Sequence, residues 1–582
     1  MHLPLAFLGL SALAHAAVRE IEWNITYVDG VSPDGSAEAN TSVNNQWPIP
    51  ALDFDYKDRV VIKVNNQLPD VDTSLHAHGM FQNGTNWADG PQMVTQCGIP
   101  PGGSMTYNFT LEQNGTYWIH SHTQGQYPDG LRTPMIIHSP EEAQQYDEEL
   151  TIYFSDWYHE SMVVLKDVFQ SYTNPTGAEP VPKAALINDR VNTQFSVKPN
   201  TLYRLRFINL GGFAAFRVWF EDHDIEIIEV DGVDVAPMKV DGFTLTAAQR
   251  TSVLLRTKNA TDQNFPFVGS MNEDMFDQVP EGLNPNVTGY LVYNSDAPLP
   301  VAKLVDEWPT SNDFELVPVV PEPVRDPGHR ITYDVLFDNL ADGENYAFLN
   351  GKTYKPPKTP TLLTVKAAGQ LSNKSVVFDS AIYGEHTITD IVPHLQSVEL
   401  CINNYDAGFH PFHLHGHSFQ VVKRSAEDEG PCPGSDNTTW YETIPANPMR
   451  RDVLQVPPGG HAVIRFYSDN PGIWLFHCHL TWHQISGMLS HILVAPDLLA
   501  LQDVPQNTYD NCKAHNVNVL GNAAGKSDLY DLSGQNAPPG PLPAGFTPRG
   551  IVAMFFTILA AVIGMAAIAW YGLGEMKSSP SL

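Results

Sequence analysis

Four short motifs put histidines where a transition metal needs them. His76-Ala77-His78-Gly79 and His120-Ser121-His122 lie in the first quarter of the chain, and His413-Leu414-His415-Gly416 and His477-Cys478-His479 lie toward its end. On an extended strand alternate side chains share a face, so each His-x-His aims two imidazoles the same way. One His-x-His-Gly plus one His-x-His at both ends of the chain implies two separate units facing each other across one metal cluster. The middle of the chain carries no such pair. Cys478 points opposite to His477 and His479, which leaves its thiolate for a different ion. His483 follows it by five residues, Met488 by ten, and His410 precedes the third motif in His410-Pro411-Phe412-His413. Two imidazoles, a thiolate and a weak axial thioether make the ligand set of a blue-copper electron-transfer site. Zinc binds similar donors but has no redox chemistry with which to use them in series.

Such motifs need rigid strands to hold them. Alternating stretches such as Val60 to Val64, Tyr203 to Ile208 and Ala462 to Phe466, separated by Gly, Pro and Asn turns, read as short strands. With 42 Gly and 46 Pro and few long helical patterns, the chain is a turn-rich all-β protein of the sandwich kind. Breaks at Pro140-Glu141-Glu142 and along the Pro-rich stretch 297–327 divide it into units at 17–140, 141–296 and 328–512, with 297–327 as a linker. A tail follows over 513–550, and its Pro/Gly-rich part over 533–550 is expected to be an extended stalk without core residues.

The ends set an address. Residues 1–16 hold an apolar run closed by Ala14-His15-Ala16 and read as a cleaved secretory signal. Residues 551–571 contain no charge and are long enough to cross a bilayer, leaving 572–582 as a cytoplasmic tail. The expected protein is single-pass type I in the cell membrane, with its bulk extracellular. Sequons begin at Asn24, Asn40, Asn83, Asn108, Asn114, Asn259, Asn286, Asn373 and Asn437, as a glycosylating compartment would use. There are five cysteines, an odd number. Leaving Cys478 as a thiolate lets Cys97, Cys401, Cys432 and Cys512 form two disulfides. The 65 Asp and Glu against 33 Lys and Arg give a net charge of −32, which repels nucleic acid and attracts cations.

The four histidine motifs, with His-Pro-Phe-His-Leu-His-Gly-His and His-Cys-His-Leu-Thr-Trp-His-Gln-Ile-Ser-Gly-Met as their longer forms, resemble those of the multicopper oxidases. The similarity runs from about Glu22 to Cys512 and is greatest to the fungal membrane-anchored ferroxidases. It implies three cupredoxin-like Greek-key β-sandwich domains plus a C-terminal transmembrane helix, and four copper ions. Type 1 copper is then expected on His410, Cys478 and His483 with Met488 axial, type 2 on His76 and His413, and the type 3 pair on His78, His120, His122, His415, His477 and His479. His417 is expected to be a neighbour rather than a ligand. The resemblance further implies electron entry at the type 1 site, passage through Cys478 to His477 and His479, and reduction of O2 to water. Asp89, in an Asp-Gly turn, matches the family's carboxylate near the cluster. Two positions depart from those ferroxidases: Thr481 stands where a Glu is usual, and Met488 where Leu is more frequent.

The same resemblance places an Fe(II) site at Glu179, Asp277, Tyr346 and Asp406, with Asp406 four residues before His410. Carboxylates suit Fe(II) and favour Fe(III) more, which adds driving force to its oxidation. A high-affinity iron permease is the implied membrane partner. The competing expectations are a laccase-like oxidase of phenols or pigment precursors, with an apolar pocket beside His483, and a copper-detoxifying surface protein. Three pairings of the four remaining cysteines stay open. Cys97 with Cys512 would tie the first unit to the end of the third, and Cys401 with Cys432 would brace the loop around the third motif.

Overall fold

The computed structural model describes residues 16–259, 262–305, 311–433 and 443–577. All but the last residue of the expected signal, the sequon at Asn437 and the final residues 578–582 lie outside these.

Alternation in sequence becomes alternation in burial. Along strand Arg59–Asn66, Val60, Ile62 and Val64 are fully buried while Arg59 and Lys63 face solvent. Each such aliphatic side chain contributes about 1.5–3 kcal/mol on burial. Six sheets result, of four and four, six and five, and six and five strands, two for each unit. The units repeat one pairing rule. The opening strands Val18–Val31, Glu148–Trp157 and His329–Asn339 each run parallel to a later strand, Arg59–Asn66, Leu202–Asn209 and Ser397–Asn404 respectively. This is the three-fold cupredoxin-like β architecture with few helices.

The units are bound together. Cys97 is bonded to Cys512 and Cys401 to Cys432, and Cys478 is the free, buried cysteine. Asn86 bonds reciprocally with the backbone of Ile473, across the first and third units.

Two expectations change. The segment 297–327 is not a bare linker: Val317 and Val319 bond the backbone of Ala236 and Asp234, extending the edge of strand Val233–Val240. The stalk over 533–550 does not stand free of the body either, and the tail before it is folded in as well. Ala523, Ala524 and Leu529 are buried, Asn536 bonds the Pro356 carbonyl, and Pro541 forms a β-bridge with Leu340. Small and polar residues conceal this in the sequence, because backbone bonds and not an apolar pattern hold the segment. Beyond it, Pro548–Lys577 is one helix, long and apolar enough to span a membrane. Among the sequon asparagines, Asn83, Asn259 and Asn373 are exposed, whereas Asn40 is buried.

Candidate metal centre

Strand register brings the histidines together. Strand Leu75–His78 pairs antiparallel with Gly115–Ser121 so that His76 stands opposite His120. In the third unit His410–Leu414 pairs with Gly472–Cys478 so that His413 stands opposite His477. The glycine closing the third motif has a steric reason. Gly416 adopts φ +67°, and a Cβ there would lie 2.4 Å from the Trp474 ring.

The two sets interleave. The rings of His76 and His415 stack at 4.0 Å between centroids, and those of His78 and His413 at 3.8 Å. Ligand nitrogens of His76, His413 and His415, of His76, His78 and His120, and of His122, His415 and His477 each gather within 4.8 Å. His479 completes the set, its ring 5.1 Å from that of His78. One ring nitrogen of most of these is tied to the protein. His76 donates Nδ1–H to the Asp89 carbonyl (2.7 Å), His413 to that of Asp452 (2.8 Å), His120 to that of Ser121 (2.9 Å) and His477 to that of Cys478 (2.8 Å). His415 Nδ1 meets Asp89 Oδ2 at 2.9 Å. The opposite nitrogens of His76, His78, His120, His413 and His479 are buried with no hydrogen-bond partner. Buried polar atoms are normally satisfied, so converging lone pairs of this number are the signature of a metal-ligand set. Burial first, and mutual repulsion second, hold His78, His120, His122, His413, His415 and His479 well below the usual imidazole pKa, which keeps them neutral and able to coordinate.

The second centre lies on the other face of the same strand end. Cys478 ends its strand, helix Thr481–Ser486 turns the chain back, and Gly487 at φ +104° closes that helix. The return bonds Met488 N to the His483 carbonyl (3.0 Å) and Cys478 N to the Met488 carbonyl (3.2 Å). Spacings of five and ten residues thereby become neighbours in space. Cys478 Sγ lies 3.4 Å from His483 Nδ1 and 4.0 Å from His410 Nδ1, and the two Nδ1 atoms are 2.9 Å apart. Burial raises the thiol's pKa, but His483 and His410 overcome this and bring it to about 7. Among the described residues Cys478 is the link between the centres, since its backbone neighbours His477 and His479 belong to the first.

Three models described as multicopper oxidase match residues 24–142, 148–296 and 354–498. The chain belongs to the multicopper oxidases. It is 47% identical to the iron transport multicopper oxidase fetC of Epichloe festucae, over 99% of this chain and 92% of that protein. With the iron transport multicopper oxidase FET3 of Saccharomyces cerevisiae it shares 41% identity over 96% of this chain and 88% of that one. The crystal structure of Fet3p, a multicopper oxidase that functions in iron import, superposes with a TM-score of 0.85 at 40% identity, covering 90% of this chain and 100% of that chain. A laccase from Botrytis aclada follows at TM-score 0.75 and 28% identity, covering 86% and 92%.

Beside the thiolate centre of this oxidase lies a cavity of about 200 Å³ lined by Glu179, Asp277 and Asp406, with Asp274, Met275 and Asn345. His483 donates Nε2–H to Glu179 Oε1 (2.9 Å) and His410 donates Nε2–H to Asp406 Oδ2 (3.2 Å). These bonds fix the tautomers that leave both Nδ1 lone pairs facing Cys478. Burial would raise Asp406, yet the His410 hydrogen bond and charge take it to about 2. Asp277 shifts the other way, raised by burial and then by the charges of Glu179 and Asp406.

Tyr346 does not join this cavity. It is buried, and its hydroxyl bonds Asp342 (2.8 Å) and Glu344 (3.2 Å). Asn345 and Tyr346 are consecutive on strand Asn345–Leu349, so only one can face the cavity, and it is Asn345. His417 is also outside the ligand groups, buried against Phe466 and Trp474.

Three residues enter that sequence reading missed. Asp452 meets His78 Nε2 at 3.1 Å and is gripped by both terminal nitrogens of Arg250, from the middle unit, at 2.7 and 2.5 Å. Tyr127 receives a hydrogen bond from Thr481 Oγ1 (3.1 Å) and donates to the His479 carbonyl (3.3 Å). Tyr127 and Thr481 also line a cavity of about 430 Å³ that reaches His120 and His122. The run Arg450-Arg451-Asp452, three charges inside a strand pattern, was the one available signal for Asp452.

Proposed function

We propose that this multicopper oxidase is a ferroxidase, oxidising Fe(II) to Fe(III) with reduction of O2 to water in the service of iron uptake. One observation carries the reading: Glu179 and Asp406 line a single anionic cavity, and each is hydrogen-bonded to an imidazole of the thiolate centre. A substrate cation held by these carboxylates sits one hydrogen bond from His483 and His410. The names of the iron transport relatives support the same substrate. At about 200 Å³ and with the four carboxylates of Glu179, Asp274, Asp277 and Asp406, the cavity is small and charged for a phenol, since organic ligand sites run about 300–1,000 Å³ and are mostly apolar.

The donor sets suit four copper ions: His410, Cys478, His483 and Met488 would hold type 1 copper, His76 and His413 type 2, and His78, His120, His122, His415, His477 and His479 the type 3 pair. Copper bound there would accept single electrons and deliver four to O2. The chain's own residues do the rest. Glu179, Asp277 and Asp406 bind and orient Fe(II) and stabilise the higher charge of Fe(III). Asp89 holds His415 through Nδ1 and His76 through its carbonyl, fixing which nitrogens face inward. Tyr127 and Thr481 line a polar route from solvent-side cavity to cluster in place of the Glu usual in related ferroxidases. We place the protein at the cell surface on a single transmembrane helix, its catalytic domains extracellular, with an iron permease as acceptor of Fe(III).

The test compares Fe(II) with a neutral phenol in wild type and a Glu179→Ala, Asp406→Ala double variant. We expect kcat/KM for Fe(II) to fall about 100-fold, roughly 3 kcal/mol for two charged contacts, with phenol turnover within about threefold of wild type. Equal loss for both donors would overturn a dedicated iron site.

A further inference from the structure

The stalk does not hang free between ectodomain and membrane. Ala341 N donates to the Gly540 carbonyl at 2.8 Å and Leu340 forms a β-bridge with Pro541. Leu340 and Ala341 lie in the turn between strands His329–Asn339 and Asn345–Leu349, and Asn345 lines the carboxylate cavity. The last fixed point of the chain before the apolar helix thus bridges Leu340, at most about 18 Å along the backbone from Asn345 in the cavity wall. Only the six residues 542–547 separate Pro541 from the helix that begins at Pro548, and even fully extended they span about 25 Å. A folded body of this length is about 60 Å across. The cavity therefore lies in the half of the molecule nearest the membrane.

An apolar face adjoins this anchorage. Helix Met162–Phe169 leaves Val163, Val164 and Val168 exposed at 60%, 51% and 59%, and Tyr172 just beyond it is 73% exposed. Three exposed valines on two turns are unusual for a surface helix, and the one exposed charge among them is Asp167. Tyr172 packs beside the same turn, since a Cβ on Gly343 would stand 3.4 Å from its own Cβ. Asn339 bonds the Pro175 carbonyl at 2.8 Å, joining the turn to the loop that carries Glu179. The tether itself exposes Leu542 and Phe546.

We infer that the docked stalk orients the ectodomain on its own bilayer, with Val163, Val164, Val168 and Tyr172 against the outer leaflet and the carboxylate cavity opening close to the membrane surface. The occupant of the face is lipid, because the tether's length and end point bring the leaflet to it. A tyrosine among aliphatic side chains is the composition of a membrane-interface contact. The net charge of −32 opposes approach to anionic lipid, so a zwitterionic leaflet is the surface that fits. This rests on the reading of Pro548–Lys577 as a membrane span.

The experiment uses the full-length, copper-loaded protein in phosphatidylcholine vesicles. Val164→Cys carries a donor fluorophore, the other cysteines being in disulfides or buried, and an acceptor labels the lipid headgroups. A companion variant adds a twenty-residue Gly-Ser insert between Leu542 and Pro543, which lengthens the tether by about 25 Å. Energy transfer should be high with the native tether and at least about twofold lower with the insert, at unchanged Fe(II) oxidation. Equal transfer with both tethers, or none with either, overturns the inference. Transfer found only in native membranes overturns lipid as the occupant in favour of a membrane protein. Flotation separates the two levels of the argument: protein that fails to float with vesicles defeats the membrane-span reading, and the orientation with it, while floating protein without transfer defeats the orientation alone.

Discussion

At the scale of single residues, the carboxylates around the thiolate centre have unequal tasks. Asp406, held at about 2, stays ionised across the working range. Asp277 has its folded pKa raised, so it protonates before Asp406 on acidification, and its help to Fe(II) is lost as pH falls through a value above the ordinary 3.9. The pH profile of kcat/KM for Fe(II) should show that acid limb in wild type and lose it in Asp277→Asn; an unchanged inflection in the variant would assign it elsewhere. Met488 is completely buried and its backbone joins Cys478 to His483. As a thioether donor to copper bound there, it would set a lower type 1 potential than an apolar residue would. Redox titration of the blue band should give a higher midpoint in Met488→Leu, and a lower one would refute the assignment. Sequence made these ligands legible because His-x-His and Cys-x4-His are local patterns. It could not show Arg250 gripping Asp452, since two charges from different units share no spacing, nor that Tyr346 faces away, since strand phase is fixed only by its neighbours.

Elements explain what the motifs tolerate. Strand register, not loop conformation, sets His76 opposite His120 and His413 opposite His477, so the cluster is as rigid as the sheets. Gly416→Ala would drive a methyl into Trp474 and strain a left-handed backbone, at a cost of about 1–3 kcal/mol. We expect a lower Tm and reduced copper content, measured together; a variant that melts and loads like wild type would show that Trp474 simply moves. The disulfides differ in reach, closing 415 residues for Cys97–Cys512 and 31 for Cys401–Cys432. Chain entropy predicts the greater loss for Cys97→Ala with Cys512→Ala, about 6 kcal/mol against about 4 for the shorter loop, to be read by denaturant titration. The strands of all three units were readable from alternation. The docking of 523–541 was not, because glycine, proline and asparagine there bond through the backbone and carry no apolar period.

At the scale of the whole molecule, the excess of acidic residues acts before any contact forms. A field from −32 charges draws Fe(II) in and leaves a neutral phenol unaffected. Raising ionic strength from about 0.05 to 0.5 M shortens the screening length from more than 10 Å to a few ångströms. Fe(II) kcat/KM should fall severalfold over that range while phenol turnover holds; parallel declines would point to an effect on the protein itself. The interleaved histidines have a consequence for biosynthesis. His76, His78, His120 and His122 leave the ribosome long before His413, His415, His477 and His479 exist, and domains fold in order of synthesis. No half of the chain can build the nitrogen cage, so a truncated or misassembled product cannot complete it. Full metal occupancy is then a certificate of a finished chain.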